Sequence, residues 1–124
     1  MKKIVNTEKA PAAIGPYSQG IIINNMIYTS GQLPMDENGV MPETIDMQTK
    51  TSLQNVKAIL EEAGTSMGNV VKTTVFLSDM NNFVAMNDVY KEFFTENYPA
   101  RSAVQVARLP KDALVEIEVL AVIK

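Results

Sequence analysis

The closing stretch, Leu114–Ile123, constrains this chain most, because it reads as a strand that is apolar on both faces. Side chains alternate along a strand, so Val115, Ile117, Val119, Ala121 and Ile123 share one face. The other face carries Glu116, Glu118, Leu120 and Val122, half of it apolar. The pattern recurs upstream, where Ile22 opposes Ile21 and Ile23, and where Val70 and Phe76 oppose Val71, Val75 and Leu77. Strands of this kind belong to sheets that are covered on both sides.

The chain offers two helices as cover. Asp46–Ala63 places Leu53, Val56, Ile59, Leu60 and Ala63 at helical spacing, and Gly64 follows where a left-handed cap belongs. Ser78 or Asp79 can cap a second helix with the stripe Phe83, Met86, Tyr90 and Phe93, and Pro99 prevents continuation. Strands are predicted at Ile21–Ile23 and Met26–Thr29 around an Asn24-Asn25 turn, and at Val70–Leu77, Arg101–Ala107 and Leu114–Ile123. Lys3–Asn6 is an additional edge strand, and Gln32–Thr44, with Pro34, Gly39 and Pro42, is a loop. This order predicts one domain over residues 1–124, an α+β sandwich with both helices on one sheet face. Two helices of about four or five turns cannot wrap both sides of such a sheet. The remaining face is therefore expected to be buried by another copy of the chain.

Composition narrows the chemistry. The 124 residues include no cysteine and no histidine, which excludes disulfides, thiolate nucleophiles and Ser-His-Asp catalysis. It also removes the commonest transition-metal ligands, and no acidic calcium-loop spacing or glycine-rich phosphate loop is present. With 11 basic and 14 acidic residues the net charge is −3, which argues against a nucleic-acid partner. No apolar run is long enough for a membrane span and no secretory leader is legible, so a cytoplasmic protein is expected.

Three clusters could carry chemistry with the carboxylates, arginines, tyrosines and hydroxyls that remain. Gly15-Pro16-Tyr17-Ser18-Gln19-Gly20 is a turn into a strand that would fix a tyrosine hydroxyl; alone it also reads as an ordinary edge-strand entry. Ser30-Gly31-Gln32-Leu33 puts a hydroxyl beside a glycine where backbone can approach a ligand. Alone it reads first as a strand terminus with turn residues. Tyr98-Pro99-Ala100-Arg101-Ser102 sends an arginine into a half-buried strand, where its planar fork needs an anionic partner. That partner is either a structural acid such as Glu116 or Glu118, or a substrate carboxylate. Glu116 carries the same ambiguity, since a buried acid is either paired or reserved for function.

Taken in order, G-P-Y-S-Q at Gly15–Gln19, S-G-Q-L at Ser30–Leu33, P-A-R-S at Pro99–Ser102, L-P at Leu109-Pro110 and E-I-E at Glu116–Glu118 resemble the RidA (YjgF-type) family over Lys3–Lys124. The resemblance implies a chorismate-mutase-like fold, a homotrimer whose sheets form a central β-barrel, and pockets between subunits. It implies hydrolytic deamination of reactive enamines and imines, such as 2-aminoacrylate, 2-iminopropanoate and 2-iminobutanoate, to 2-oxo acids and ammonia, without metal or cofactor. Carried onto this sequence, Arg101 would hold the substrate carboxylate, Glu116 would activate water, and Tyr17 would help move a proton. Ser30, Gly31 and Asn87 would line the pocket. Many relatives have cysteine where this chain has Ala103, so only the backbone N–H of Ala103 can contribute, and thiol chemistry is excluded. The alternative is a non-catalytic small-metabolite or protein-binding module on the same trimeric fold. A chorismate mutase would need more cations around a dicarboxylate than Arg101 and Arg108 supply.

Overall fold

The computed structural model describes residues 1–123; Lys124, the last residue of the expected domain, lies outside the described residues. Six strands and two helices alternate as β1 (Lys3–Val5), β2 (Gly20–Ile23), β3 (Met26–Thr29), α1 (Ile45–Glu62), β4 (Val70–Leu77), α2 (Phe83–Phe93), β5 (Ala100–Gln105) and β6 (Val115–Val122). They form one mixed sheet in the order β1-β2-β3-β6-β4-β5. All neighbouring strands are antiparallel except β4 and β5, which run parallel because α2 carries the chain back between them. The α+β class and every expected element are present, the edge strand β1 included.

Local chemistry explains the boundaries. Thr44 caps α1 by accepting from the Met47 N–H, and Gly64 adopts φ 89° just past its end. Asn24 and Asn25 turn the β2–β3 hairpin with φ 51° and 63°, the left-handed pair that a two-residue hairpin loop requires. Asp79 caps a short 3₁₀ turn, Met80–Asn82, that leads directly into α2.

Both helices pack on the sheet face formed by Val115, Ile117, Val119 and Ala121, all fully buried with Leu53, Val56, Ile59, Leu60 and Met86. On the opposite face, Ile4, Ile21, Tyr28 and Leu120 line up across four strands through paired positions. Ile4 and Tyr28 are exposed there, and Leu120, Val122 and Phe76 are only half-buried. The helix-free face thus carries a row of apolar side chains beside Lys72, Glu116 and Glu118, the half-apolar face that the two-faced strands predict.

One expectation is corrected. Alternation through β4 assigns Val71 to the face of Val75 and Leu77, yet Val70 is buried at 5% exposure and Val71 is exposed at 42%. A β-bulge is responsible: Val70 pairs with Ala121 and Lys72 with Leu120, leaving Val71 as an extra residue that inverts the alternation. Val70→Ala should therefore lower stability by about 1–3 kcal/mol, while Val71→Ala changes it by less than about 0.5 kcal/mol. Urea unfolding of the two variants distinguishes the bulged register from an unbroken one.

Candidate active site

The residues singled out in the sequence fall into two clefts. The first, of about 620 Å³, is lined by Tyr17, Ser30, Gly31, Lys111 and Glu116 among others. Its walls are fixed by buried polar side chains that the sequence reading had not identified. Gln19 accepts from the Thr7 N–H at 2.7 Å and donates to the Thr7 and Pro11 carbonyls at 3.1 and 2.8 Å, which holds the N-terminal loop against β2. From α1, Ser52 donates to the Gln32 carbonyl at 2.8 Å, and Asn55 donates to the Leu33 and Met35 carbonyls at 3.1 and 2.7 Å. Gln48 donates to the Pro42 carbonyl and accepts from the Leu114 N–H, both at 2.8 Å. The available signal was their spacing, since Gln48, Ser52 and Asn55 recur on one helical stripe where apolar residues would be routine.

Within this cleft Gly31 lies directly against Glu116. A Cβ at position 31 would overlap a carboxylate oxygen of Glu116 and stand 2.8 Å from its Cδ, so the close approach requires glycine. Ser30 donates its hydroxyl to the Ser18 carbonyl at 2.5 Å, tying the strand end to the Gly15–Gln19 turn. Tyr17 is exposed at the opening. Burial raises the Glu116 pKa, and the neighbouring charge of Glu118 adds to the effect, so Glu116 holds a proton more readily than a free carboxylate.

The second cleft, of about 630 Å³, is lined by Arg101, Asn87, Tyr90, Tyr98 and neighbouring residues of α2. Arg101 pairs with Thr73 and so points to the helix-bearing face. Its guanidinium lies 4.8 Å from the Tyr90 ring centre and 5.4 Å from that of Phe83, and its Nη1 donates to Asn87 Oδ1 at 2.5 Å. Tyr90 is itself anchored by a 2.8 Å hydroxyl contact with buried Thr73. Burial raises the Tyr90 pKa, so its hydroxyl stays neutral beside the arginine. The aromatic stripe of α2 therefore serves as core and as a cradle against which the guanidinium rests. Ala103 follows on the same face, and Val106 donates its N–H to Leu77 O; by the two-residue period of the ladder the Ala103 N–H faces the open edge of the sheet.

Arg101 meets no carboxylate: among the described residues the ion pairs are Lys91–Asp88 and Arg108–Asp112. Neither Glu116 nor Glu118 can reach it, because Glu116 pairs with Phe76 on the helix-free face while Arg101 shares the opposite face with Thr73. Of the partners the sequence left open for Arg101, the structural acid is thereby removed within one chain. No cluster of three metal-binding side chains occurs among the described residues.

The sequence profile of the family described as endoribonuclease L-PSP matches residues 7–123. The chain belongs to this L-PSP (YjgF/RidA) family. A 2-iminobutanoate/2-iminopropanoate deaminase of Escherichia coli K12 is 54% identical, and one of Salmonella typhimurium LT2 is 53% identical, each over 98% of both chains. The YjgF gene product of E. coli superposes with a TM-score of 0.95 at 53% identity over 98% of this chain and 99% of that one. E. coli TdcF, solved with bound serine, has a TM-score of 0.95 at 51% identity, again over 98% and 99%. The six-stranded mixed sheet with two helices is thus the fold of this L-PSP family, and its two clefts are the places to look for the family's chemistry.

The contact of Gly31 with Glu116 gives a direct test of the first cleft. Gly31→Ala should change stability by less than about 1 kcal/mol, because the atoms in the way belong to the end of a flexible side chain. A crystal structure of the variant should show the Glu116 carboxylate displaced by about 1 Å or more to reach van der Waals distance. An unmoved carboxylate would contradict the packing described.

Proposed function

We propose that this protein is a cytoplasmic 2-iminobutanoate/2-iminopropanoate deaminase that removes reactive imines and enamines, acting as a homotrimer with its sheets arranged as a central barrel. The carrying observation is an arginine with no acid partner among the described residues, held ready by two rings and an amide, in a chain resembling full-length relatives named for this activity. A guanidinium so placed suits the paired hydrogen bonds of a substrate carboxylate. The serine bound in E. coli TdcF supports a site sized for small carboxylates.

Arg101 and Glu116 lie on opposite faces of one sheet, so a pocket using both must take them from different copies. Association through the helix-free face would bury its exposed apolar residues and bring the Glu116 cleft of one copy to the β5 edge of the next. Closed rotation of such an unlike contact gives a ring, and the trimer of the family resemblance is the ring we adopt.

In that pocket Arg101 binds the carboxylate, Asn87 keeps the guanidinium oriented, and the Ala103 N–H faces the same opening. An enamine such as 2-aminoacrylate first takes a proton at its terminal carbon to become the imine, a transfer within reach of the Tyr17 hydroxyl. Water then adds to the imine carbon as Glu116 accepts its proton, and the C=N electron pair moves to nitrogen. Glu116 returns that proton to the nitrogen of the adduct formed from the protonated imine, and the C–N bond then breaks as the new hydroxyl gives its own proton to the freed carboxylate, which releases ammonia and leaves the 2-oxo acid. The raised pKa of Glu116 makes it a better base than a free carboxylate. Ser30 and Gly31 shape the wall beside it. The reaction needs only positioning and one proton carrier, because the imine is already electrophilic. RNA cleavage, suggested by the family's description, draws less support from a chain of net charge −3.

Arg101→Ala should lower kcat/KM for 2-iminopropanoate by about 10- to 150-fold, the loss of a charge-assisted pair worth about 1.5–3 kcal/mol, with the oligomer intact. Glu116→Gln should retain binding and lose turnover. Semicarbazide trapping of imines made in situ by an amino-acid oxidase reads both. Near-normal turnover by Arg101→Ala would refute the assignment, and a wild-type protein that fails to hasten imine loss would favour a binding module.

A further inference from the structure

The turn joining β5 to β6 holds a conformational outlier. Every other residue with positive φ among the described residues is a glycine, an asparagine or Asp112, types that tolerate this region. Lys111 adopts φ 57° and ψ 22° without that tolerance. The turn around it is fixed from both ends. Leu109 and Ala113 are buried on either side, and the Asp112 and Ala113 N–H groups donate to the Leu109 and Pro110 carbonyls at 3.1 and 3.2 Å. Arg108 grips Asp112 with two bonds, Nε to Oδ1 at 2.6 Å and Nη2 to Oδ2 at 3.2 Å. A glycine or asparagine would satisfy this backbone with less strain, so the turn carries a lysine side chain at a conformational cost.

That side chain lines the Glu116 cleft, and among the described residues no other lysine or arginine does. A carboxylate approaching this cleft meets Glu116 in its lining, on a chain of net charge −3. We propose that Lys111 is the capture residue of this cleft, a cation that its strained turn keeps in the lining and that draws in carboxylate-bearing ligands. The inference rests on the deaminase reading for the identity of the substrate but not for its charge. Because Lys111 is exposed, its influence is screened by salt and acts on binding rather than on the chemical step.

Lys111→Gln, Lys111→Arg and Lys111→Gly test this together. In Lys111→Gln, KM for 2-iminopropanoate should rise about 2- to 5-fold at low salt and return to the wild-type value at about 0.5 M salt, with kcat unchanged. Lys111→Arg should keep the wild-type KM. Lys111→Gly should show the same binding defect while its melting temperature rises by about 2–4 °C as the strain is relieved. The Kd for 2-oxobutanoate, measured by calorimetry, carries the same expectation and needs no turnover, so it decides the proposal even if the deaminase reading fails. An unchanged KM and Kd in Lys111→Gln at low salt, a defect that salt does not erase, or no rise in melting temperature for Lys111→Gly would overturn it.

Discussion

A β-strand sends successive side chains to opposite faces, and here that alternation separates Arg101 from Glu116, the two groups to which we assign the chemistry. Arg101 shares its face with Thr73, under α2, whereas Glu116 shares its face with Phe76, where no helix lies. The separation is geometric and no rotamer change bridges a hydrogen-bonded sheet. Under the proposed mechanism each copy carries two half-sites, one for an anion and one for a base. The separation also keeps the arginine from being neutralised by its own glutamates, which would otherwise be its nearest chemical match. The half-apolar helix-free face and the divided site are two consequences of one topology.

Each half-site is held by a different kind of force. The arginine side relies on aromatic packing: Phe83 and Tyr90 flank the guanidinium, and Thr73 fixes Tyr90 from the sheet. The glutamate side relies on hydrogen bonds to loop carbonyls, because irregular segments must have their backbone groups satisfied. Gln19, Ser52 and Asn55 supply them, and no buried side-chain polar atom is left unpaired among the described residues. Only after these anchors are in place can Gly31 sit against Glu116, a contact too close for any side chain.

Much of the fold was legible because its signals are local. The Asn24-Asn25 turn, Gly64 beyond α1 and the apolar stripes of both helices specify their elements without knowledge of tertiary structure. The exchange of Val70 and Val71 was not legible, since a bulge depends on how β4 registers against β6. The clusters around Tyr17, Ser30, Gly31 and Glu116 were visible as short strings, and the structure gathers them into one cleft. That Phe83 and Tyr90 flank Arg101 was hidden, because the same stripe is sufficient to form a core. Lys111 was hidden for the opposite reason: nothing in a lysine announces a left-handed backbone, which its buried and ion-paired neighbours impose.

The central claim is that one working pocket draws Arg101 from one copy and Glu116 from another. Co-expressing Arg101→Ala with Glu116→Gln chains tests it without relying on either variant alone. Random assembly of a ring from equal amounts places an intact arginine beside an intact glutamate in about one quarter of the pockets. The account predicts that mixed assemblies, verified by native mass spectrometry, recover about that fraction of wild-type imine hydrolysis. Mixed assemblies no more active than the two parents would contradict it.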